Sequence, residues 1–444
     1  MRDSLSRRSF LGRTALAGLG ATLVPRHVLG GAGYQAPSDT LGIAGVGVGG
    51  VGHRKLRAMD SEQIVALCDI DLHYAREAFA DYPNAAVYQD YRRMLDEMDD
   101  AIDAVMIATP DHTHAVIAQE AMQRGKHVYI EKPLTWSIDE AHTLAQGADE
   151  TGVVSAMGNQ GHSLDDARLV NEYLQDGAIG TVREVHAWTN RPIWPQGMAQ
   201  PEILKRKPQH INWDLFLGPA PEIAYDPAYH PFAWRGWFHF GTGALGDMGA
   251  HLIDHPVWAL DLGYPDTIET RSTAFNGASW PHASTTYFTF PARGDRPAVR
   301  LTWYDGGLQP PRPEGLPDDE SLNALGGVIY VGDEGTLMHE TYGRNPRLLP
   351  AERMAAYGTP PERYRRIPDE SHEMNWVRAI KGEEELSQDF GYAARLTQIM
   401  LLGVVSMRAG NRRIHWDAEA RRVTNLPEAN AFLARQDARD GWAL

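Results

Sequence analysis

The chain has 444 residues, room for two domains at roughly 100–200 residues each. Apolar residues make up 43% and charged residues 23%, a globular balance that excludes a disordered or fibrous chain. Acidic residues outnumber basic ones 58 to 42, so the net charge of −16 argues against nucleic acid and against a basic membrane-binding surface. The single cysteine, Cys68, excludes an internal disulfide and a multi-cysteine metal site.

Ser6–Gly12 reads SRRSFLG and precedes a short apolar run, Ala15–Val24, and a Pro/Gly-rich stretch to Gly33. The run is too short to span a bilayer. Arg7–Arg8 before Ser-Phe-Leu resembles a twin-arginine export signal, which predicts a signal and linker over residues 1–33. A disordered basic tail is the alternative. Export implies a periplasmic or otherwise extracytoplasmic protein, with no membrane association beyond export or a signal tether.

From residue 38 to 158 the pattern alternates strand and helix. Leu41–Val46, Ile64–Cys68, Ala104–Ile107, Val128–Ile130 and Val153–Met157 are short β-branched-rich runs bounded by turns. Amphipathic stretches at Tyr74–Tyr82, Tyr91–Met98, Ala115–Arg124 and Ser137–Asp149 separate them. The fold class is therefore α/β, opening with a doubly wound parallel sheet of the Rossmann type.

Directly after the first strand, Gly45, Gly47 and Gly50 stand in G-x-G-x-x-G spacing, with Val48 and Gly49 between them. Gly45 would allow the tight turn, Gly47 the approach of backbone N–H groups to a pyrophosphate, and Gly50 close helix–sheet packing. Asp69 closes the second strand, where a carboxylate accepts from ribose hydroxyls and repels a 2′-phosphate. That favours NAD over NADP. Asp71 is the second candidate for the ribose after Asp69, and its alternative is a helix cap. Two further loops share this edge: ATPDHTH, Ala108–His114, and EKP, Glu131–Pro133. Asp111 and Thr113 can be helix caps, and His112 and His114 surface histidines. A strand-end lysine, Lys132, would point into the cleft and relay the proton of a substrate hydroxyl.

GVGVGG, ATPDHTH, EKP and GALGDMGAHLID (Gly243–Asp254) together resemble the glucose-fructose oxidoreductase/inositol dehydrogenase/MocA (Gfo/Idh/MocA) family over nearly the whole chain after the signal. The resemblance implies a C-terminal α/β domain, residues 159–444, with a large, mostly antiparallel sheet that often serves as an oligomer contact. A homo-oligomer, dimer or tetramer, is thus expected. It implies catalytic roles for Lys132, Asp247 and His251, with Asp247 orienting His251 one helical turn away. It implies cofactor contacts at Gly45, Gly47, Val48, Gly49, Gly50, Asp69, Thr109, Pro110, His114, Glu131, Lys132 and Asn159. Where many relatives carry an arginine, this chain has MGNQGHS (Met157–Ser163), so Gln160 and His162 become neutral substrate contacts.

In the second domain a helix is expected over Leu169–Leu174. Strands are expected at Arg183–Thr189, Ser284–Phe290, Ala298–Trp303 and Val328–Val331, a surface loop at Gln309–Ala324, and helices at Met374–Lys381 and Ala394–Arg408. An insertion from about Arg191 to Phe240 carries Trp194, Trp213, Trp234 and Trp237. Tryptophan faces suit sugar rings, so Trp234 and Arg235 are candidate substrate contacts. The bland alternatives are loop-stapling tryptophans and a buried arginine ion pair. His251 and His255 are also spaced to hold a metal, but without an H-E-x-x-H glutamate no metal is expected.

These residues point to an NAD-dependent oxidoreductase acting on a hydroxyl of a sugar, glycoside or polyol, with a tightly bound, recycling cofactor. A redox-cycling glycoside hydrolase on the same fold and a non-catalytic sugar-binding module are the alternatives.

Overall fold

The computed structural model describes residues 39–202 and 205–444; the export signal expected over residues 1–33 lies outside them. The first sheet contains β1 (Gly42–Val46), β2 (Gln63–Cys68), β3 (Ala86–Tyr88), β4 (Ala104–Ile107), β5 (His127–Ile130) and β6 (Ser155–Met157). All neighbours are parallel, in the order β3-β2-β1-β4-β5-β6. β1 and β4 are buried at every position, as strands covered by helices on both faces must be. The strand order reverses between them, so the crevice for a ligand opens beyond Val46 and Ile107. The sequence pattern misses β3, whose three residues are too few to show a period.

Local chemistry fixes the crossover helices. In the helix Ile138–Thr151, Ser137 and Glu140 form a reciprocal capping box, and Gly152 ends it at φ 67°. Asp90 caps the helix Tyr91–Glu97 by accepting from the Arg92 N–H.

The second sheet has nine strands: β7 (Val182–Thr189), β8 (Thr267–Ser272), β9 (Ser284–Phe290), β10 (Val299–Tyr304), β11 (Gly326–Gly332), β12 (Thr336–Glu340), β13 (Arg347–Leu349), β14 (Ile414–Asp417) and β15 (Arg422–Val423). Their order is β13-β12-β11-β7-β10-β9-β8-β14-β15. Every neighbouring pair is antiparallel except β10 with β7. The sheet is thus mostly antiparallel, as expected.

Residues 42–444 form one compact unit. At its centre lies the helix Phe390–Arg408, started by the Asp389 side chain accepting from the Tyr392 N–H. Its length and apolarity would suffice to cross a membrane, but nearly all of it is buried, so it is a core helix. It packs on β8, on β6 and on the helices Ile138–Thr151 and Gly243–Leu252, joining the two sheets in one core. The sequence pattern starts this helix four residues late, at Ala394.

Candidate active site

The glycine loop is built differently from the spacing first read. Gly45 lies inside β1, and the chain turns at Gly47, φ 77°. A Cβ on Gly47 would meet the Ala108 carbonyl carbon and oxygen and the Thr109 nitrogen at 2.7 Å. Gly50 takes φ 57° beside the Tyr74 hydroxyl, and the residue that lets the first helix approach the strand is Gly52. A Cβ there would lie 2.0 Å from the Gly47 carbonyl oxygen. The working set is therefore Gly47, Gly49 and Gly52, the second of two overlapping G-x-G-x-x-G spacings in GVGVGGVG. Gly45 and Gly50 do not have the roles expected of them.

Asp69 accepts from the Gly49 N–H at 3.0 Å and the Asp71 N–H at 2.9 Å. Burial pushes its carboxyl up to about 6 against the lowering pull of those bonds. Gly47, Asp69, Thr109 and Pro110 line a cavity of about 170 Å³ whose opposite wall is the insertion, at Phe216, His230 and Trp234. A turn with three glycines, Gly47, Gly49 and Gly50, a carboxylate at the end of β2 and a mainly apolar wall suit a dinucleotide.

The insertion is fastened to the first sheet. Ile211 forms a β-bridge with Asp71, and the Asn212 N–H donates to the Ile70 carbonyl at 2.8 Å. The Asp71 carboxylate pairs with His210 and His230, each at 2.9 Å. Asp71 does cap the following turn, accepting from the N–H groups of His73 and Tyr74, but it is also this anchor. His112 bonds the Phe216 carbonyl at 2.8 Å and the Phe240 carbonyl at 3.2 Å. It is a buried brace, not a surface histidine. Trp213 and Trp237 donate to backbone carbonyls of the insertion itself, Ile223 and Ala228, at 2.7 Å. Trp194 donates to the Gln196 side chain. These three are staples, and of the insertion's four tryptophans Trp234 alone lines the cavity, which Trp442 also lines.

Beyond β5 and on the helix Gly243–Leu252, the expected trio comes together. Lys132 Nζ lies 2.5 Å from Asp247 Oδ1. Arg235 reaches the same oxygen at 3.3 Å and Asp111 at 3.0 Å, so its charge is committed to ion pairs and does not stand free for a substrate. Burial alone would raise the Asp247 carboxyl, but the charges of Lys132 and Arg235 outweigh it and hold it below the usual carboxylate range. His251 does not bond to Asp247; its Nδ1 is buried without a partner. The expected orienting bond is absent, and Lys132 and Arg235 meet the carboxylate at Oδ1 instead. Burial, with the Lys132 charge added, lowers His251 well below the ordinary histidine value, so it is neutral at pH 7.

Other expected contacts sit one layer back. His114 bonds the carbonyls of Pro133 and Thr109 at 2.9 and 2.8 Å and is 1% exposed, so it braces the two loops from behind. Glu131 ion-pairs with Lys55 at 3.2 Å, and Lys55 reaches Glu373 at 2.5 Å. Asn159 and His162 both bond Asp254, at 3.1 and 3.0 Å, and His162 stacks on Trp258. His162 is therefore buried structure and not a substrate contact, whereas Gln160 stays partly exposed. His251 and His255 fall on successive helices, and among the described residues no group of three His, Cys, Asp or Glu is placed to hold a metal. The sequence reading also misses Tyr342, whose ring lies edge-on 4.7 Å from His251.

Asp254 supports a stability prediction. Burial would raise its carboxyl, but His162 and the Tyr392 hydroxyl, 2.6 Å away, bring it down to about 2. Unfolded, it titrates near 4, so between those values the unfolded chain binds more protons. The contribution, about 2 kcal/mol, is full above pH 4 and fades as pH falls toward 2. Asp254→Asn is expected to lose about that much at pH 7 in urea unfolding and to show a flatter acid limb. Equal urea midpoints for variant and parent would remove the assignment.

A Rossmann sheet with a glycine turn, a carboxylate at the end of β2 and a Lys–Asp–His set beside the crevice define a fold of the dinucleotide-binding class. Residues 40–159 match the model described as "Oxidoreductase family, NAD-binding Rossmann fold", and residues 179–273 match "Oxidoreductase family, C-terminal alpha/beta domain". The chain belongs to the Gfo/Idh/MocA oxidoreductase family. It is 27% identical over 223 residues to scyllo-inositol 2-dehydrogenase (NADP(+)) IolW of Bacillus subtilis (strain 168), covering 49% of this chain and 51% of that one. It is 31% identical over 203 residues to a glycosyl hydrolase family 109 protein of Shewanella pealeana, covering 40% of this chain and 44% of that one. The matches thus span about half, or less, of these curated relatives. The WlbA dehydrogenase from Bordetella pertussis, solved with NADH and UDP-GlcNAcA, shares the fold at TM-score 0.60 and 17% identity, over 85% of this chain and 99% of that one.

Proposed function

We propose that the protein is an NAD-dependent oxidoreductase that oxidises a hydroxyl of a sugar, glycoside or polyol and keeps its cofactor through turnover. The observation that carries this is Lys132 on Asp247 with neutral His251 on the same helix, beside the crevice that opens beyond β1 and β4. Bound NAD supplies the hydride acceptor. Lys132 holds the substrate oxygen, and the neutral His251 imidazole takes the hydroxyl proton. Arg235 and Asp111 fix Asp247, and Asp247 fixes Lys132. Asp69 in the cavity favours NAD over NADP. Retention is supported by the insertion, which walls the cavity opposite the glycine loop and is pinned by Asp71 to His210 and His230. Export by the twin-arginine route to an extracytoplasmic compartment is part of the same proposal and rests on Arg7–Arg8. Assembly as a homo-oligomer, dimer or tetramer, rests on the family resemblance.

The second reading is a redox-cycling glycoside hydrolase, favoured by the likeness to the glycosyl hydrolase family 109 protein. The protein as purified, after extensive dialysis, is expected to keep nicotinamide absorbance that responds to sugars without added NAD. Release of free sugar from an aryl glycoside would move the assignment to the hydrolase. Sugar binding by calorimetry with no turnover and no nicotinamide would leave only a binding module.

A further inference from the structure

His251 is placed without the usual means. A working imidazole is commonly held by a hydrogen bond on its second nitrogen. Here Nδ1 is buried with no partner, and Asp247, one helical turn before, faces Lys132 and Arg235 instead. What touches the ring is Tyr342, edge-on, with centroids 4.7 Å apart and planes at 70°.

Tyr342 is itself unusual. It stands at φ 69°, ψ 16°, in the connection between β12 and β13. A bulky side chain rarely takes the left-handed region, and such residues persist only where the surroundings over-determine them. Those surroundings are visible. A Cβ on Gly161 would meet the Tyr342 Cα at 3.1 Å, so the turn Gln160–Ser163 presses on its backbone. The next residue, Gly343, is also left-handed at φ 79°, and a Cβ there would meet Ala167 at 2.9 Å and His255 Cε1 at 3.1 Å. The Glu340 N–H closes the connection on the Arg344 carbonyl at 2.8 Å. The backbone is thus held in a strained state whose one outcome at the site is an aromatic edge against His251.

We propose that Tyr342 is the positioning residue for His251, its ring packing taking the place of the missing Nδ1 hydrogen bond. This rests on the proposed role of His251 in proton transfer. The ring, not the hydroxyl, does the work, because the hydroxyl bonds to none of the described residues. The charged groups around the pair are Lys132, Asp247, Lys55 and Asp254 toward His251, and Asp247, Arg191, Glu131 and Lys55 toward Tyr342. Neither Tyr342→Phe nor Tyr342→Ala changes any of them.

The test follows the His251 ring directly, by NMR of the full chain with histidine labelled at Cε1. The signal is assigned by its loss in His251→Gln. It is expected to stay in place in Tyr342→Phe and to shift or broaden in Tyr342→Ala. With a turned-over sugar, Tyr342→Ala is expected to lose about 100-fold in kcat, the scale of an ångström's misplacement, with cofactor retention unchanged. Tyr342→Phe is expected within about threefold of the parent, a rescue that a hydroxyl role would not give. Tyr342→Asn, a residue type that accepts positive φ, is expected to melt no lower than Tyr342→Ala yet share its kinetic loss. An unmoved His251 signal in Tyr342→Ala, or Tyr342→Phe behaving like Tyr342→Ala, overturns the proposal. If the parent turns over no sugar, the proposed activity fails, and the ring signal still decides the positioning role.

Discussion

Lys132→Met is expected to lower kcat/KM by about 10²- to 10³-fold, the range for losing one donor that holds the reacting oxygen, while cofactor stays bound. The side chain keeps its length, so the loss is chemical. Lys132 Nζ is the closest partner of Asp247, and its removal leaves Arg235 at 3.3 Å as the remaining side-chain cation on that carboxylate. The change also reaches His251. Burial is the main cause of its low pKa, and the Lys132 charge is the next. Without that charge, and with Asp247 less compensated, the imidazolium is favoured and the pKa of His251 rises. As pH falls, the neutral, proton-accepting form is then lost at a higher pH. The acid limb of the residual rate should therefore move up in pH relative to the parent. Unaltered turnover would remove Lys132 from the mechanism; an acid limb that moved down would remove the coupling to His251.

Much of this was readable in the sequence, for physical reasons that differ by element. The buried strands of the first sheet announce themselves because a parallel strand covered on both faces is a continuous apolar run. β3, β13 and β15 are three, three and two residues long, too short for any period to register. The parallel pairing of β10 with β7 could not be read, since register follows from tertiary packing. The Lys132, Asp247 and His251 trio was legible because motif and helical spacing mark each one. Their partners were not. Asp111 looks like a helix cap until Arg235 arrives from 124 residues away. His162 looks like a cleft residue until Asp254 and Trp258 enclose it. The tryptophans of the insertion have a composition that suits sugar binding, yet an indole N–H buried in a loop needs an acceptor, and Trp194, Trp213 and Trp237 find theirs within the insertion. The glycine loop shows the limit most clearly: two overlapping spacings fit one string, and only the end of β1 at Val46 chooses between them.

That choice gives the second large expected effect. Gly47→Val should cost at least 100-fold in nicotinamide affinity, about 2.7 kcal/mol, and should also lower stability. Two penalties act at once. A β-branched residue at φ 77° adopts a backbone that L side chains avoid, of order 1–3 kcal/mol. Its Cβ must also displace the Ala108–Thr109 backbone, 2.7 Å away, which carries the opposite lip of the crevice. The Gly47 N–H, which donates to the Cys68 carbonyl at 2.8 Å, ties the shift to β2 and so to Asp69. Gly125→Ala separates the two penalties. Gly125 has a similar φ, 74°, but a Cβ there meets nothing within 4 Å. It is expected to cost about 1 kcal/mol in urea unfolding and nothing in cofactor affinity. Gly45→Ala discriminates between the two spacings by another route. Gly45 lies within β1, and the nearest atoms its Cβ would meet are side-chain atoms of Val48 and Leu56. Fluorescence titration of the cofactor-stripped variants with NADH should therefore rank Gly47→Val far weaker than Gly45→Ala. The reverse ranking would restore Gly45 as the turn glycine and shift the whole loop by two residues.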